Sequence, residues 1–318
     1  MNILTPLQNL ADVDLLAEAG AGEFYMGFSD PAWRETFGAF TDLNRCSLYE
    51  EANKASLEDI RYFADKVHRK QAALYVVMNA PWYGDGELEY LDDYCRELSG
   101  MKVDGIIVST PEQIELVRSH DMKAVVSVMG SVYNSEIARF YRDCGANRII
   151  LPRELSLDAI DRIIASVPDV EYEAFLMRNA CRHADSYCLG LHGGLYGGLC
   201  YDQSLQDSGL IMRSDSSAES RNERKYNSYL YDRVFRSSSC GQCALWRLLK
   251  AGVTAVKIVG RMESAAEIAE AVRLTAYHIQ EAENAESEAD YLMRMAMPEN
   301  RYDYCASGLS CYYPEVRF

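Results

Sequence analysis

Seven of the ten cysteines in this 318-residue chain lie in its second half, and this asymmetry is the strongest chemical signal in the sequence. They are Cys181, Cys188, Cys200, Cys240, Cys243, Cys305 and Cys311. Stable disulfides are rare in a reducing compartment, so a gathering of thiols there favours a metal or cluster site. We therefore expect thiolate ligands in this part of the chain.

The spacing of the first five of these cysteines is long and uneven, and reads Cys181-x6-Cys188-x11-Cys200-x39-Cys240-x2-Cys243. Zinc ribbons usually present two Cys-x2-Cys knuckles, whereas this region contains one. Long spacing within a structured loop suits an iron–sulfur cluster, on which four thiolates converge from separate turns. The pattern favours a cluster, while structural zinc and thiols that bind no metal stay open as alternatives.

Four charged residues are candidate catalytic residues because they fall at or near the ends of predicted strands. Glu173 and Glu154 could act as a general acid or base or bind a cation, with a structural ion pair as the alternative. Lys257 and Arg261 could bind an anionic small substrate through charge-assisted hydrogen bonds. Three polar residues that follow predicted strands are further candidate substrate contacts: Asn79, Tyr133 and Asn134.

A repeated strand–helix unit must position these residues, since short apolar runs alternate with amphipathic stretches along the chain. The predicted strands are Asn2–Leu4, Glu23–Met26, Ala72–Met78, Gly105–Val108, Ala124–Val128, Arg148–Leu151, Tyr172–Met177 and Ala255–Ile258. Helices are predicted at Leu10–Ala19, Leu57–Arg69, Leu88–Leu98, Pro111–Ser119, Ser135–Cys144, Ser156–Ala165, Cys243–Ala251 and from Ser264 onward. Eight alternations predict an α/β fold of the TIM type, a (β/α)8 barrel, with a doubly wound open sheet as the alternative.

The barrel is predicted to occupy residues 1–265 and to include a cysteine-rich loop, residues 178–243, after strand seven. In a barrel this loop emerges at the C-terminal face, where active sites are built. Residues 266–318 are predicted to form a C-terminal helical extension with a cysteine-containing tail.

Composition narrows the expected partners and location. The net charge of −16 argues against a general affinity for phosphate, so nucleic acid is not expected as a partner. No apolar run approaches the roughly 18 residues needed to span a bilayer, and the N-terminus lacks the pattern of a secretory signal. The sequence therefore predicts a cytoplasmic protein that does not associate with a membrane.

Several segments together resemble peptidase family U32, the collagenase-like peptidases. The segment Glu173-Ala-Phe175 followed by Cys181-x6-Cys188 is similar to the family signature, from which it departs at Arg178, Asn179 and Ser186. Four other segments agree with the family in order and spacing: Ala19–Gly27, Asp104–Ser109, Pro152–Leu155 and Ala251–Arg261. The tail Cys305-x5-Cys311-Tyr-Tyr is similar to that of a short subgroup.

The resemblance implies a barrel that carries an iron–sulfur cluster of the four-iron type (4Fe–4S). Carried over by position, its ligands would be Cys181, Cys188, Cys200 and Cys240, with Cys243, Cys305 and Cys311 as alternates. Members that this chain resembles take part in oxygen-independent hydroxylation of ubiquinone precursors or RNA bases. The resemblance further implies prephenate as a co-substrate.

These observations predict a cluster-dependent redox enzyme, or a component of one, for hydroxylation or a related reaction on a small anionic or aromatic substrate. Such a protein would need an electron donor and could form a hetero- or homo-oligomer. A peptidase and a non-catalytic cluster carrier within a hetero-oligomer are the alternatives. The peptidase alternative lacks support from motifs, because the sequence contains neither a His-Glu-x-x-His zinc motif nor a Gly-x-Ser-x-Gly elbow.

Overall fold

A computed structural model of the chain describes residues 1–37, 42–46, 52–181, 184–188, 239–295, 305 and 311–316. Within these residues, eight parallel strands follow one another around a closed barrel, and the last strand pairs with the first. Helices separate the strands along the chain. This architecture confirms the predicted (β/α)8 barrel of the TIM type.

The strands are close to their predicted positions. They are β1 (Asn2–Pro6), β2 (Glu23–Met26), β3 (Ala73–Met78), β4 (Gly105–Val108), β5 (Lys123–Val126), β6 (Arg148–Ile150), β7 (Glu171–Met177) and β8 (Ala255–Ile258). β5 ends two residues before the predicted end. The reason is local, because the Ser127 side chain accepts a hydrogen bond from the Met129 backbone N–H and starts a short 3-10 helix, Val128–Gly130.

The described helices are α1 (Asp12–Ala19), α2 (Pro31–Phe37), α3 (Ile60–Arg69), α4 (Asp85–Gly100), α5 (Pro111–Ser119), α6 (Ser135–Asp143), α7 (Leu157–Ser166), α8 (Leu245–Ala251), α9 (Ala265–Asn284) and α10 (Glu288–Arg294). α2 lies between β2 and α3 and was not predicted. α3 begins three residues after its predicted start, because Ser56 and Asp59 bond to each other's backbone N–H in the preceding turn. Pro111 occupies the first turn of α5, where its missing N–H costs nothing.

Two turns that lead from a helix through a glycine into a strand show why the unit repeats. Gly20 ends α1 with φ of +116° and Gly252 ends α8 with φ of +95°, in the left-handed region that glycine adopts readily. Each turn then enters a buried strand of the barrel. Local sequence therefore specifies both the helix end and the return to the sheet.

The C-terminal residues pack back on the barrel. α9 contacts α1 and β1, and the chain turns at Ala285 before Ser287 caps α10. Residues 311–316 return to the end of β7, where Cys311 pairs with Cys240 in a parallel bridge and the Tyr313 hydroxyl donates to the Phe175 carbonyl at 2.8 Å. The division at residue 265 stays a prediction.

None of the helices that the structure describes combines the length and the apolar character that a membrane span needs.

Candidate active site

Charged side chains fill the N-terminal end of the barrel interior. Arg148, the first residue of β6, binds both carboxylate oxygens of Glu23 at 2.5 and 2.8 Å. Its guanidinium also lies 2.7 Å from Glu171 and stacks over the Tyr75 ring at 5.3 Å. Glu23 and Glu171 begin their strands, so this cluster lies at the N-terminal end of the barrel and supports the fold. The opposite end, where the strands finish, is called the mouth of the barrel below.

Glu173 lies two residues after Glu171 on β7, nearer the C-terminal end of the barrel, and is completely buried. Lys257 Nζ donates to Glu173 Oε1 at 3.0 Å, and Arg148 Nη1 lies 3.5 Å from Glu173 Oε2. The structure therefore places Glu173 in an ion pair, which is the alternative to an acid–base role that the sequence left open.

Lys257 connects this interior network to the mouth of the barrel. Burial lowers the pKa of Lys257, the paired Glu173 raises it, and the nearby charges of Arg261 and Arg153 lower it further. The ammonium group sits over the Tyr25 ring at 4.2 Å. Lys257 thus lies near two further cations at the C-terminal end of the strands, and Glu173 neutralises part of this charge.

Arg261 lies just beyond β8 and is half-buried. Its Nη1 donates to the side-chain oxygens of Asn44 and Asn53 at 3.3 and 3.4 Å. Both asparagines belong to the segment between β2 and α3. They pack directly against Gly27, where a Cβ atom would overlap Asn53 Oδ1 and lie 2.9 Å from Arg261 Nη1.

Gly27→Ala is expected to displace Arg261 and to lower the free energy of unfolding by about 1–3 kcal/mol, because Asn53 is buried and cannot move aside freely. Chemical denaturation of the purified variant measures the loss. Gly100→Ala is the matched control, since a Cβ at the last residue of α4 meets open space. Equal stability of the two variants would contradict the close packing at Gly27.

Two arginines that the sequence interpretation did not select also lie at the mouth. Arg153 follows β6, stacks over the Phe175 ring with its Cζ 3.5 Å from the centroid, and pairs with Asp185. Arg45 Nη1 lies 3.6 Å from the same carboxylate, and Arg45 Nη2 donates to the Cys188 carbonyl at 3.2 Å. Arg153 could have been selected from the sequence, because it comes just after a predicted strand. No sequence pattern around Arg45 indicates that it lies at the mouth.

The remaining candidates have different surroundings. Glu154 is exposed at the rim and accepts a hydrogen bond from the Tyr133 hydroxyl at 3.2 Å. Asn134 caps α6 by accepting from a backbone N–H at 3.0 Å, so its side chain has a structural partner. Asn79 donates to Ser127 Oγ at 2.9 Å and ties the ends of β3 and β5 together.

Two of the predicted ligands, Cys181 and Cys240, each act electrostatically on Tyr312. Burial raises the pKa of Tyr312, the charges of Cys181 and Cys240 raise it further, and the Arg153 guanidinium lowers it. Cys240 is placed by its backbone, because residues 239–241 pair antiparallel with the end of β7: the Arg178 N–H donates to the Ser239 carbonyl at 2.7 Å. The thiols therefore adjoin the cation-lined mouth.

The donor set fits a thiolate-bound group. Cys188 is buried beside Arg45, while Cys200 lies outside the described residues. Thiolates are the ligands of iron–sulfur clusters and of structural zinc, so the chemistry suits either group. Among the residues described, no three His, Cys, Asp or Glu side chains are grouped closely enough to hold a metal ion.

The alternate ligands differ in how close they come to Cys240. Cys311 is the bridge partner of Cys240, and directly paired residues of neighbouring strands project to the same face of a sheet. Cys243 is buried in the next turn, where it and Cys240 act electrostatically on Tyr291. Cys305 is half-buried. Of the predicted alternates, Cys311 is thus the one that the structure places directly beside Cys240.

Two cysteines of the first half differ in environment. Cys95 is buried in α4, where burial raises the pKa of its thiol to about 12, as expected for a small core residue. Cys46 is half-buried next to the asparagines that bind Arg261: its N–H donates to Asn44 Oδ1 at 3.0 Å, and its carbonyl accepts from Asn53 Nδ2 at 2.7 Å. Its position at the mouth could not be inferred from an isolated cysteine in the sequence.

Comparison with known proteins relates the chain to one protein family. The sequence pattern of peptidase family U32 matches residues 8–316. The tRNA hydroxylation protein P of Escherichia coli is 31% identical over 147 residues, which are 46% of this chain and 32% of that protein. A 23S rRNA 5-hydroxycytidine synthase of the same organism is 29% identical over 217 residues, 65% of this chain and 30% of that protein.

A solved structure of a U32 peptidase superposes with a TM-score of 0.48 and 13% identity, over 82% of this chain and 94% of that chain. The chain spans about a third of the length of the two Escherichia coli relatives.

The names of these relatives correct one expectation. They refer to hydroxylation of tRNA and of 23S rRNA, so the expectation that excluded nucleic acid as a partner is wrong. That expectation rested on the net charge of −16, which describes the whole chain. The local electrostatic potential depends on where the charges lie. Although the net charge is negative, four cations lie at the mouth: Arg45, Arg153, Lys257 and Arg261.

Proposed function

Since the chain belongs to peptidase family U32, we propose that it is an RNA hydroxylation protein with a thiolate-held iron–sulfur cluster at the mouth of its barrel. The observation that carries this proposal is the position of Cys240, which pairs with Met177 at the C-terminal end of β7 and with Cys311 of the tail. A redox group held there would adjoin a site for an anion. The names of the relatives supply the substrate class, which is RNA.

Cys181, Cys188, Cys200 and Cys240 are the residues that would hold the cluster. When bound, such a cluster supplies one-electron transfer. The partly exposed Cys181 and the buried Cys188 and Cys240 would give it one side toward the mouth and one toward the protein.

The side chains at the mouth would bind and orient the reactants. Lys257, Arg153 and Arg261 suit an RNA phosphate or the carboxylates of a co-substrate such as prephenate, through hydrogen bonds strengthened by exclusion of water. Glu173 is a positioning residue in this scheme, because its bond to Lys257 Nζ directs the ammonium.

The proposed reaction exchanges hydrogen for hydroxyl between two carbon atoms. A C–H bond of the base and a C–OH bond of the co-substrate break, while a C–OH bond of the base and a C–H bond of the co-substrate form. The base carbon loses two electrons and the co-substrate carbon gains two, so the exchange balances without molecular oxygen.

The test is an anaerobic incubation of the purified protein with prephenate and either tRNA or 23S rRNA from cells that lack their own hydroxylation genes. Mass spectrometry of the digested RNA is expected to show a pyrimidine nucleoside that has gained one oxygen atom. The Cys181→Ser variant serves as the inactive control. Absence of the product on both RNAs, together with peptide cleavage by the same preparation, would support the hydrolase alternative instead.

A further inference from the structure

Two tyrosines form a parallel stack at the rim of the mouth. Tyr133 follows β5, and Tyr187 lies in the segment that connects Cys181 to Cys188. Their ring centroids are 5.9 Å apart and their planes are inclined by 14°. Tyr187 is 70% exposed, so the face of its ring that is turned away from Tyr133 is open to solvent.

Tyr133, the inner ring of the stack, is held from two sides. The Tyr133 hydroxyl lies 2.6 Å from Ser186 Oγ and donates to Glu154 Oε2 at 3.2 Å. The short 3-10 helix Asp185–Tyr187 packs against Val128–Gly130, the turn that follows β5. These contacts join the ends of β5, β6 and β7 around the stack.

The outer ring is held through its backbone. The Tyr187 N–H donates to the Ala184 carbonyl at 3.2 Å, and the neighbouring Asp185 carboxylate is paired with both Arg45 and Arg153. An exposed tyrosine on a free loop would have to be ordered by a ligand. The Tyr187 ring already stacks on Tyr133, so less conformational entropy is lost when a flat ligand stacks on it than on an unsupported ring.

The charges at the mouth favour an anionic ligand over an apolar peptide. Among the described residues, four cations lie there with three carboxylates, which leaves one positive charge in excess: Arg45, Arg153, Lys257 and Arg261 against Asp185, Glu173 and Glu154. Unpaired bases of single-stranded RNA combine an aromatic face with a phosphate backbone, and proteins bind them with aromatic platforms on basic surfaces.

We propose that the open face of Tyr187 is a platform on which an unpaired RNA base stacks at the entrance to the barrel. This inference rests on the proposed function and adds the contact that would hold the RNA beside the thiols. Any base can stack on a tyrosine ring, so Tyr187 would contribute to the affinity and to the position of the RNA. Selectivity for one base would come from other residues.

The test is fluorescence anisotropy of a labelled single-stranded RNA oligonucleotide, titrated with the anaerobically purified full chain at fixed low salt. Tyr187→Ala is expected to weaken binding by about tenfold to a hundredfold, the usual effect of losing one stacked base. Tyr187→Phe keeps the ring and is expected to bind within about twofold of the unsubstituted protein, since its stacking face is unchanged.

Tyr277→Ala is the matched control, because Tyr277 is 41% exposed on the outer surface of α9, in the half of the helix toward the other end of the barrel. It is expected to leave the affinity unchanged. Thermal unfolding of each variant verifies that it is folded.

Two failures are distinguishable in this experiment. Tight RNA binding by the unsubstituted chain with equal binding by Tyr187→Ala would overturn the platform and leave the proposed function standing. A chain that binds no RNA, tRNA and rRNA fragments included, would overturn the RNA substrate and the platform together.

Discussion

Glu173→Gln is expected to lower the free energy of unfolding by about 3–5 kcal/mol at neutral pH, one of the largest effects available to a single substitution in this fold. The substitution keeps the volume of the side chain. It leaves the Lys257 ammonium, which is 7% exposed, without the carboxylate that lies 3.0 Å away. Urea denaturation followed by circular dichroism measures the loss.

Glu171→Gln is the matched control, because it makes the same change two residues earlier on β7. Glu171 is partly exposed, and its partner Arg148 keeps both bonds to Glu23. We expect a loss of about 1 kcal/mol or less there. Equal losses at the two positions would show that the buried pair has no special role in stability.

The pH dependence gives a second readout of the same pair. Burial lowers the pKa of Lys257 in the folded chain below its ordinary value of 10.5. Between the folded and the ordinary pKa, the unfolded chain binds more protons, so this group makes stability rise with pH. Removal of the Glu173 charge lowers the pKa of Lys257 further. The deficit of Glu173→Gln is therefore expected to shrink as the pH rises from neutral toward the ordinary lysine pKa of 10.5.

A double substitution separates loss of a partner from loss of packing. In Glu173→Gln with Lys257→Met, neither buried charge remains, and the chain is expected to regain much of the stability lost by Glu173→Gln alone. If the double variant is no more stable than Glu173→Gln alone, the loss of stability comes from altered packing around Glu173 and not from the unpaired charge of Lys257.

Serine at any one of the four predicted ligands is expected to abolish stable loading of the cluster. The unsubstituted protein, purified without oxygen, should contain on the order of four iron and four sulfide per chain and absorb near roughly 400 nm. Cys181→Ser and Cys240→Ser should lose most of the iron, because a serine hydroxyl is a poor substitute for a thiolate. Iron and sulfide assays with visible absorption spectra measure the effect.

Cys144→Ser is the control for this series, because the thiol is only half-buried and follows α6, away from the mouth. It should keep its iron. Cys311→Ser and Cys243→Ser decide between the alternates: a loss of iron at Cys311 equal to that at Cys240 would make the tail a source of ligands. Retention of iron and sulfide in both Cys181→Ser and Cys240→Ser would contradict the proposed ligand set.

The regular part of the fold was predictable because it is encoded locally. The bounds of β2, β4 and β8 agree residue for residue with the apolar runs that predict them. The segment of α2 was not recognised, because Pro31–Phe37 is short and buries Trp33 through contacts with distant residues that its own pattern does not reveal.

The site was predictable in its residue types and less so in its partners. Glu173 and Lys257 were both selected from their positions on strands, yet they are 84 residues apart and meet because β7 and β8 are neighbours in register. Arg45 reaches the Cys188 carbonyl across 143 residues from a segment without periodicity.

The barrel and the cysteine-rich segment after its seventh strand could be predicted from the sequence, because hydrophobic periodicity and cysteine spacing are properties of short segments. Three contacts became known only from the folded chain: Glu173 pairs with Lys257, Cys311 lies beside Cys240, and Tyr187 stacks on Tyr133. These contacts depend on closure of the barrel and on the return of the tail, which bring distant residues together. A local pattern cannot specify them, because the same pattern is compatible with many registers and loop paths.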